Sequence, residues 1–319
     1  MKVLITGGSG TLGKEIANLV FKKKYEVNIL TRNKNLKSHN PQLKYYYWNP
    51  KKEDIDLDCF NNVDCVINLA GFSVFSLWTK ANKTKIFESR VESTNFILDV
   101  ILKKNIKIKS FVNASAIAAY IDSSDFTSSE NDSIDNPNSF INQVVVKWEN
   151  EVKKFESKLP DISFSIMRIG LVLSKSAGLY KICKMLSKLF ILSPIGNGNQ
   201  WQSWIHEKDA AKIILSSCEN SWRGTYNLVA PNPVKQNELI NKIAIFNKSR
   251  VIFPNIPSFI IKSVFGEMSE VILSSQKVKS VKLCESDFSF KHIDDALKTP
   301  VKCGVNHLGT DAHRLATHV

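Results

Sequence analysis

Residues 1–13 read Met-Lys-Val-Leu-Ile-Thr-Gly-Gly-Ser-Gly-Thr-Leu-Gly, and this stretch decides the fold. Val3-Leu4-Ile5 is an apolar run ending at Thr6, and Gly7, Gly8, Gly10 and Gly13 follow at once. From Thr11 the chain turns amphipathic, with Ile16, Leu19 and Val20 at helical spacing. A buried strand, a glycine turn and a helix N-terminus make an anion cradle, because unpaired backbone N–H groups and the helix dipole face the turn. Glycine lets a pyrophosphate touch the backbone and lets the helix pack against the strand. Gly7, Gly8, Ser9, Gly10, Thr11, Leu12 and Gly13 are therefore expected to bind a dinucleotide.

Strand and helix alternate outward from this turn. Strands are expected at 2–6, 26–31, 44–48, 64–70, 109–114 and 163–168, and helices at 11–23, 83–103 and 139–158. The strands are continuous apolar runs, as buried parallel strands are, so the fold expected is α/β with a Rossmann-type doubly wound parallel sheet. Ligands of such sheets bind at the strands' C-terminal ends, beside the first glycine turn. Beyond residue 175 further elements follow: helices near 179–189 and 236–246, a helix through Cys218, and strands at 225–229 and 250–253. A more helical lobe rich in Ile, Val and Phe comes after them. The division expected is a cofactor domain over 1–248 with substrate-side insertions, a small C-terminal domain over 249–298, and a tail over 299–319.

Composition narrows the function. The 319 residues suffice for a large core, and no run reaches the ~18 apolar residues of a membrane span. The opening apolar run breaks at Gly7, too soon for a signal peptide. Six scattered cysteines without metal spacing fit reduced, mostly buried thiols, so a cytoplasmic protein with no membrane partner and no metal is expected. The net charge of +13 invites a nucleic-acid partner, but the lysines are dispersed over helix ends and no nucleic-acid motif occurs. His307, His313 and His318 suit no common metal motif.

The second strand ends in Thr31-Arg32-Asn33-Lys34, where NAD-binding folds place an acid for the ribose hydroxyls. A guanidinium there binds a 2′-phosphate by charge-assisted hydrogen bonds, so NADP(H) is expected in preference to NAD.

The turn TGGSGTLG, the fourth-strand Asn68-Leu69-Ala70-Gly71 and Ser115 together resemble the extended short-chain dehydrogenase/reductases. The resemblance implies nicotinamide-dependent oxidoreduction, epimerisation or dehydration, often on nucleotide sugars, with Ser115 catalytic. It also implies a Tyr-x-x-x-Lys pair for proton transfer, and that pair is missing: Gln143 stands four residues before Lys147. Tyr180 and Lys184 have the spacing but lie on the wrong helix. Tyr120 is the tyrosine close to Ser115 in sequence and is read either as a displaced proton donor or as a residue packed under a loop.

The departure resembles an atypical group, the NAD-dependent epimerase family proteins that carry a C-terminal domain of unknown function. Residues 78–94, the run Ser115–Tyr120, Phe140 with Trp148-Glu149, Arg168-Ile169-Gly170, the loop 196–206, Gly266-Glu267 and Leu273 with Gln276 carry this resemblance in order along the chain. It implies that Leu69, Ala70, Gly71 and Gly170 approach the cofactor; Arg168 is read as approaching cofactor or substrate, or as a structural ion pair. Loop 196–204 fits either a substrate lid or a surface turn, His206 either an acid/base or a bystander, and Asp209 a helix cap. Extended members commonly pair through helices, and Phe140, Val144 and Trp148 form an apolar stripe for such a homodimer or for packing on the chain's own sheet. The function expected is an NADP(H)-dependent epimerase- or oxidoreductase-like protein acting on an unidentified small polar molecule; the alternative is a non-catalytic NADP(H) sensor.

Overall fold

The computed structural model describes residues 1–134 and 137–299. Seven parallel strands form one sheet: β1 (Lys2–Thr6), β2 (Glu26–Thr31), β3 (Leu43–Asn49), β4 (Cys65–Asn68), β5 (Ser110–Ala116), β6 (Ser163–Ile169) and β7 (Gly224–Leu228). Their spatial order is β7-β6-β5-β4-β1-β2-β3, with the two-residue strand Asp54–Ile55 antiparallel on the β3 edge. The order reverses beside β1, which opens a crevice at the C-terminal ends of β1 and β4.

Helices cover both faces. Ile16 and Val20 of α1 (Thr11–Lys22) and Ala210, Ile214 and Cys218 of α6 (Glu207–Glu219) bury one face with Val3, Ile5 and Ile67. Ile97 and Ile101 of α3 (Ser93–Lys103) and Val152 and Phe155 of α4 (Phe140–Glu156) bury the other with Leu4, Val66 and Phe111. The sheet is apolar on both sides because it is covered on both sides, which is why the strands read as unbroken runs. The helix expected over 83–103 is α2 (Lys80–Phe87), a π turn at Glu88–Glu92, and α3.

A second, four-stranded sheet draws on distant segments: Ser123–Ser128, Trp201–Gln202, Val234–Lys235 and Gln276–Val278. Around it lie α5 (Gly178–Lys188), α7 (Gln236–Phe246), α8 (Ser258–Phe265), α9 (Ser269–Leu273) and α10 (Ile293–Lys298).

Several expectations are corrected here. Residues 250–253 form no strand: Pro254 and Pro257 follow, and Ile252 and Phe253 stay exposed with no strand paired to them among the described residues. Strand β4 stops at Asn68 because the N–H groups of Leu69 and Ala70 turn aside to the Thr6 hydroxyl. Cys65 and Cys218, 153 residues apart in sequence, are joined as a disulfide between sheet and α6, against the reading of reduced thiols throughout. Val144 and Trp148 are buried within the chain, so the stripe on α4 serves its own core and a seam between chains would need other residues. His307, His313 and His318 lie outside the described residues, and no metal-binding group occurs among the described ones.

Candidate functional site

The glycine turn has no room for a larger side chain at Gly7 or Gly13. Gly7 has φ +68°, and a Cβ there would sit 2.7 Å from the Leu69 carbonyl oxygen. One on Gly13 would sit 2.5 Å from the Gly7 carbonyl oxygen, and one on Gly8 2.7 Å from the Ile29 side chain. Helix α1 begins after Gly10 with no capping side chain and no acid in its first turn. Its first N–H groups therefore lack a protein side-chain acceptor, which is the arrangement a pyrophosphate fills. One strand over, Arg32 follows β2 directly, is exposed, and makes no ion pair among the described residues; Lys34 lies 4.2 Å from the centre of the Tyr47 ring. Turn, helix and arginine fit a 2′-phosphorylated dinucleotide.

Beneath the crevice runs a buried amide–hydroxyl chain. Thr6 Oγ1 donates to Asn68 Oδ1 (2.6 Å), and Asn68 Nδ2 donates to Asn113 Oδ1 (2.7 Å) and Thr94 Oγ1 (2.8 Å). Trp148 Nε1 donates to the same Thr94 oxygen at 2.9 Å. This chain ties β1, β4, β5, α3 and α4 into one unit and sets the level at which β5 delivers Ser115. Gly71 closes against Arg90, whose guanidinium donates to the carbonyls of Phe72 and Ile86.

Ser115 and Arg168 are cross-strand partners on β5 and β6, and Glu149 reaches them from α4. Ser115 Oγ donates to Glu149 Oε1 at 2.6 Å; Arg168 donates through Nε to Oε1 and through Nη2 to Oε2, both at 2.8 Å. Arg168 Nη1 donates to the Tyr120 hydroxyl, which donates onward to Asn227 Oδ1, each at 2.8 Å. Every member is buried, with Glu149 fully enclosed. Burial pulls the Arg168 pKa down, but the bonds and charge of Glu149 outweigh it and hold the guanidinium above its ordinary value. Burial pushes the Tyr120 phenol up, partly offset by Arg168.

The sequence-expected residues fall into two groups. Gly7 to Gly13, Arg32 and Leu69 to Gly71 lie along the crevice at the ends of β1, β2 and β4. Ser115, Tyr120 and Arg168 come together in the buried network on β5 and β6. Of the readings open for Arg168, the structure shows the ion pair: all three nitrogens are engaged by Glu149 and Tyr120. Gly170 bonds the Leu228 carbonyl, and a Cβ on it would lie 2.4 Å from the Ser203 carbonyl oxygen, so the strand 204–206 leans on it. Gln143 and Lys147 are exposed, the lysine over the Phe87 ring, and neither joins Ser115. Tyr180 is buried and accepts a bond from Asn247.

Loop 196–204 is no free lid. Trp201–Gln202 is paired in the second sheet, Trp204 is fully buried, and Ser203 Oγ donates to the Gln276 carbonyl. His206, not Asp209, caps α6, its Nδ1 accepting from Lys208 N–H at 3.2 Å. Asp209 instead accepts from the N–H groups of Ser289 and Phe290. Burial, with Lys208 and Lys175 nearby, lowers His206 to about 4, so it is neutral and packed on Phe290.

Sequence reasoning gave Glu149 and Asn227 no role. For Glu149 a signal existed: it falls on the Val145–Trp148–Val152 face of α4, where an acid needs a buried cation. Asn227 had none, since its partners Tyr120, Glu130 and Lys279 are far off in sequence.

Comparison with known proteins gives the family and the fold. Residues 3–228 match the model of the NAD dependent epimerase/dehydratase family, and residues 256–299 that of a domain of unknown function, DUF1731. An epimerase family protein of Staphylococcus haemolyticus is 32% identical over 291 residues, covering 91% of this chain and 94% of that one. One of Staphylococcus aureus (strain MRSA252) is likewise 32% identical with the same coverage. A crystal structure of human epimerase family protein SDR39U1 (isoform 2) with NADPH superposes with TM-score 0.76 at 25% identity, over 93% of this chain and 98% of that one. UDP-N-acetylglucosamine 4-epimerase from Bacillus cereus shares the fold, with TM-score 0.72 at 17% identity over 93% and 98% of the two chains.

Proposed function

We propose that this chain, which belongs to the NAD dependent epimerase/dehydratase family, binds NADP(H) and acts as an epimerase- or oxidoreductase-like protein on a small polar substrate. The observation that carries the reading is the glycine turn, with no room for a Cβ at Gly7 or Gly13 and leading into an uncapped helix, with the unpaired Arg32 at the tip of the neighbouring strand. The human relative solved with NADPH supports the same choice of nucleotide. The backbone from Gly7 to Gly13 would hold the pyrophosphate and Arg32 the 2′-phosphate, while Leu69, Ala70 and Gly71 would flank the crevice. When bound, the nicotinamide supplies or accepts the hydride.

Ser115 would meet a substrate oxygen through its Oγ, oriented by Glu149, which holds the serine's proton. Arg168 is a positioning residue that acts through Glu149. Tyr120 stays protonated at neutral pH, its proton committed to Asn227, so water entering the crevice is the carrier this geometry favours for the substrate proton.

Titration by NADPH fluorescence tests the binding. Arg32→Glu is expected to weaken NADPH by about tenfold or more, the worth of one hydrogen bond between charged groups, while NADH is little affected. A protein that holds neither nucleotide overturns the proposal. The sensor reading draws on one observation: both hydroxyl protons near the site are used inside the buried network. Consumption of NADPH with any member of a carbonyl panel favours catalysis; tight binding without consumption favours the sensor.

A further inference from the structure

Exposed apolar side chains gather on α5, α8 and the run before α8. On α5, Ile182 and Met185 project outward, and Leu189, Phe190 and Ile191 continue past its end. Ile252, Phe253, Phe259, Ile260 and Val264, on the next segment and α8, are also exposed, Phe259 at 70%. The two segments run side by side: Gly196 N–H donates to the Ile256 carbonyl and Ile256 N–H to the Pro194 carbonyl, both at 2.8 Å. Ser249 Oγ donates to the Ser187 carbonyl, also at 2.8 Å. Apolar exposure gathered on one face marks an interaction surface, whereas scattered exposure needs no explanation.

Charge says what kind of surface covers it. Residues 178–198 and 243–266 contain no Asp or Glu, yet carry Lys181, Lys184, Lys188, Lys248, Arg250 and Lys262. None of these six cations forms an ion pair among the described residues. A second copy docked about a two-fold axis would set this cationic face against itself. The segment 301–319 could not neutralise it either, since Asp311 is outnumbered there by Lys302 and Arg314. What complements large apolar side chains fringed by unpaired cations is an interface with acyl chains below and anionic headgroups above.

We propose that this face rests on membranes containing anionic phospholipid, as a peripheral contact. No helix among the described residues is long and apolar enough to cross a membrane. The sequence expectation of no membrane partner weighed spanning segments and a signal peptide; the face exists only once α5, α8 and the strand-less 250–257 run are brought together.

The test is co-sedimentation of the full chain with vesicles of phosphatidylcholine alone or mixed equally with phosphatidylglycerol. The chain should pellet with the mixed vesicles and be released at about 0.5 M salt. Lys181→Glu/Lys188→Glu/Lys262→Glu should weaken the mixed-vesicle partition by more than about tenfold, since each lysine near an anionic leaflet contributes about fivefold. Phe253→Ser/Phe259→Ser should weaken it too, with the urea unfolding midpoint unchanged because both side chains are exposed. Lys22→Glu/Lys104→Glu/Lys107→Glu, the same charge change elsewhere on the surface, should leave most binding intact. Equal loss in that control, no preference for the mixed vesicles, or a solution dimer that Phe253→Ser/Phe259→Ser converts to monomer would each overturn the proposal.

Discussion

Replacing Glu149 by leucine removes the acceptor of three buried hydrogen bonds, two from Arg168 and one from Ser115. Arg168 is 4% exposed and would keep only Tyr120 as a partner. Breaking one side of a buried ion pair costs about 3–5 kcal/mol, because the remaining charge is stranded. The Ser115 hydroxyl, stripped of its acceptor, adds about 1–3 kcal/mol. The sum is a large part of a domain's net stability of about 5–15 kcal/mol, so Glu149→Leu should unfold at much lower urea or fail to accumulate. The compensated variant Glu149→Leu/Arg168→Met keeps the volume and removes the stranded charge, and it should recover at least about 2 kcal/mol of that loss. Adding Ser115→Ala should recover about 1 kcal/mol more. Urea unfolding followed by tryptophan fluorescence reads all three, since Trp148 adjoins Glu149. The reasoning is refuted if Glu149→Leu lies within about 1 kcal/mol of the native chain, or if the double variant is no more stable than the single.

Two further outcomes follow from the same packing. Gly13→Ala would drive a methyl into the Gly7 carbonyl at 2.5 Å, so it should cost about 1–3 kcal/mol in urea even without nucleotide, and a neutral result would remove the close-approach argument. His206 has a folded pKa of about 4 against an ordinary 6.5, so the unfolded chain binds the extra proton between these values. Its contribution to stability is complete above about pH 6.5 and falls away by up to about 3 kcal/mol as the pH drops through 4. His206→Asn, which keeps a capping acceptor but does not titrate, should flatten that part of the stability profile; an unchanged profile would show that other groups cause it.

Much of the fold was legible because its signals are local. The glycine turn, the apolar strand runs and the helix over Gln236–Phe246 each depend on residues a few positions apart, where periodicity and backbone freedom act. Arg32 was legible for the same reason, since its place follows from where β2 ends. The second sheet was not: its four short strands come from residues 123 to 278 and none has a period of its own. Residues 250–253 misled because their side chains suit a strand while no strand pairs with them among the described residues.

The sequence by itself determined the parallel sheet, the glycine turn at the C-terminal end of β1 and the cation at the end of β2, since short-range sterics and hydrophobic period suffice for those. Only the tertiary structure decided what Ser115, Tyr120 and Arg168 touch. Whether a hydroxyl faces a ligand or a buried carboxylate depends on Glu149, which lies 34 residues from Ser115 in sequence and 2.6 Å from it in space. The same holds for the pairing of Cys65 with Cys218 and for the apolar cationic face assembled from α5 and α8. Each is a meeting of groups that chain proximity does not enforce and that burial of the surrounding core does.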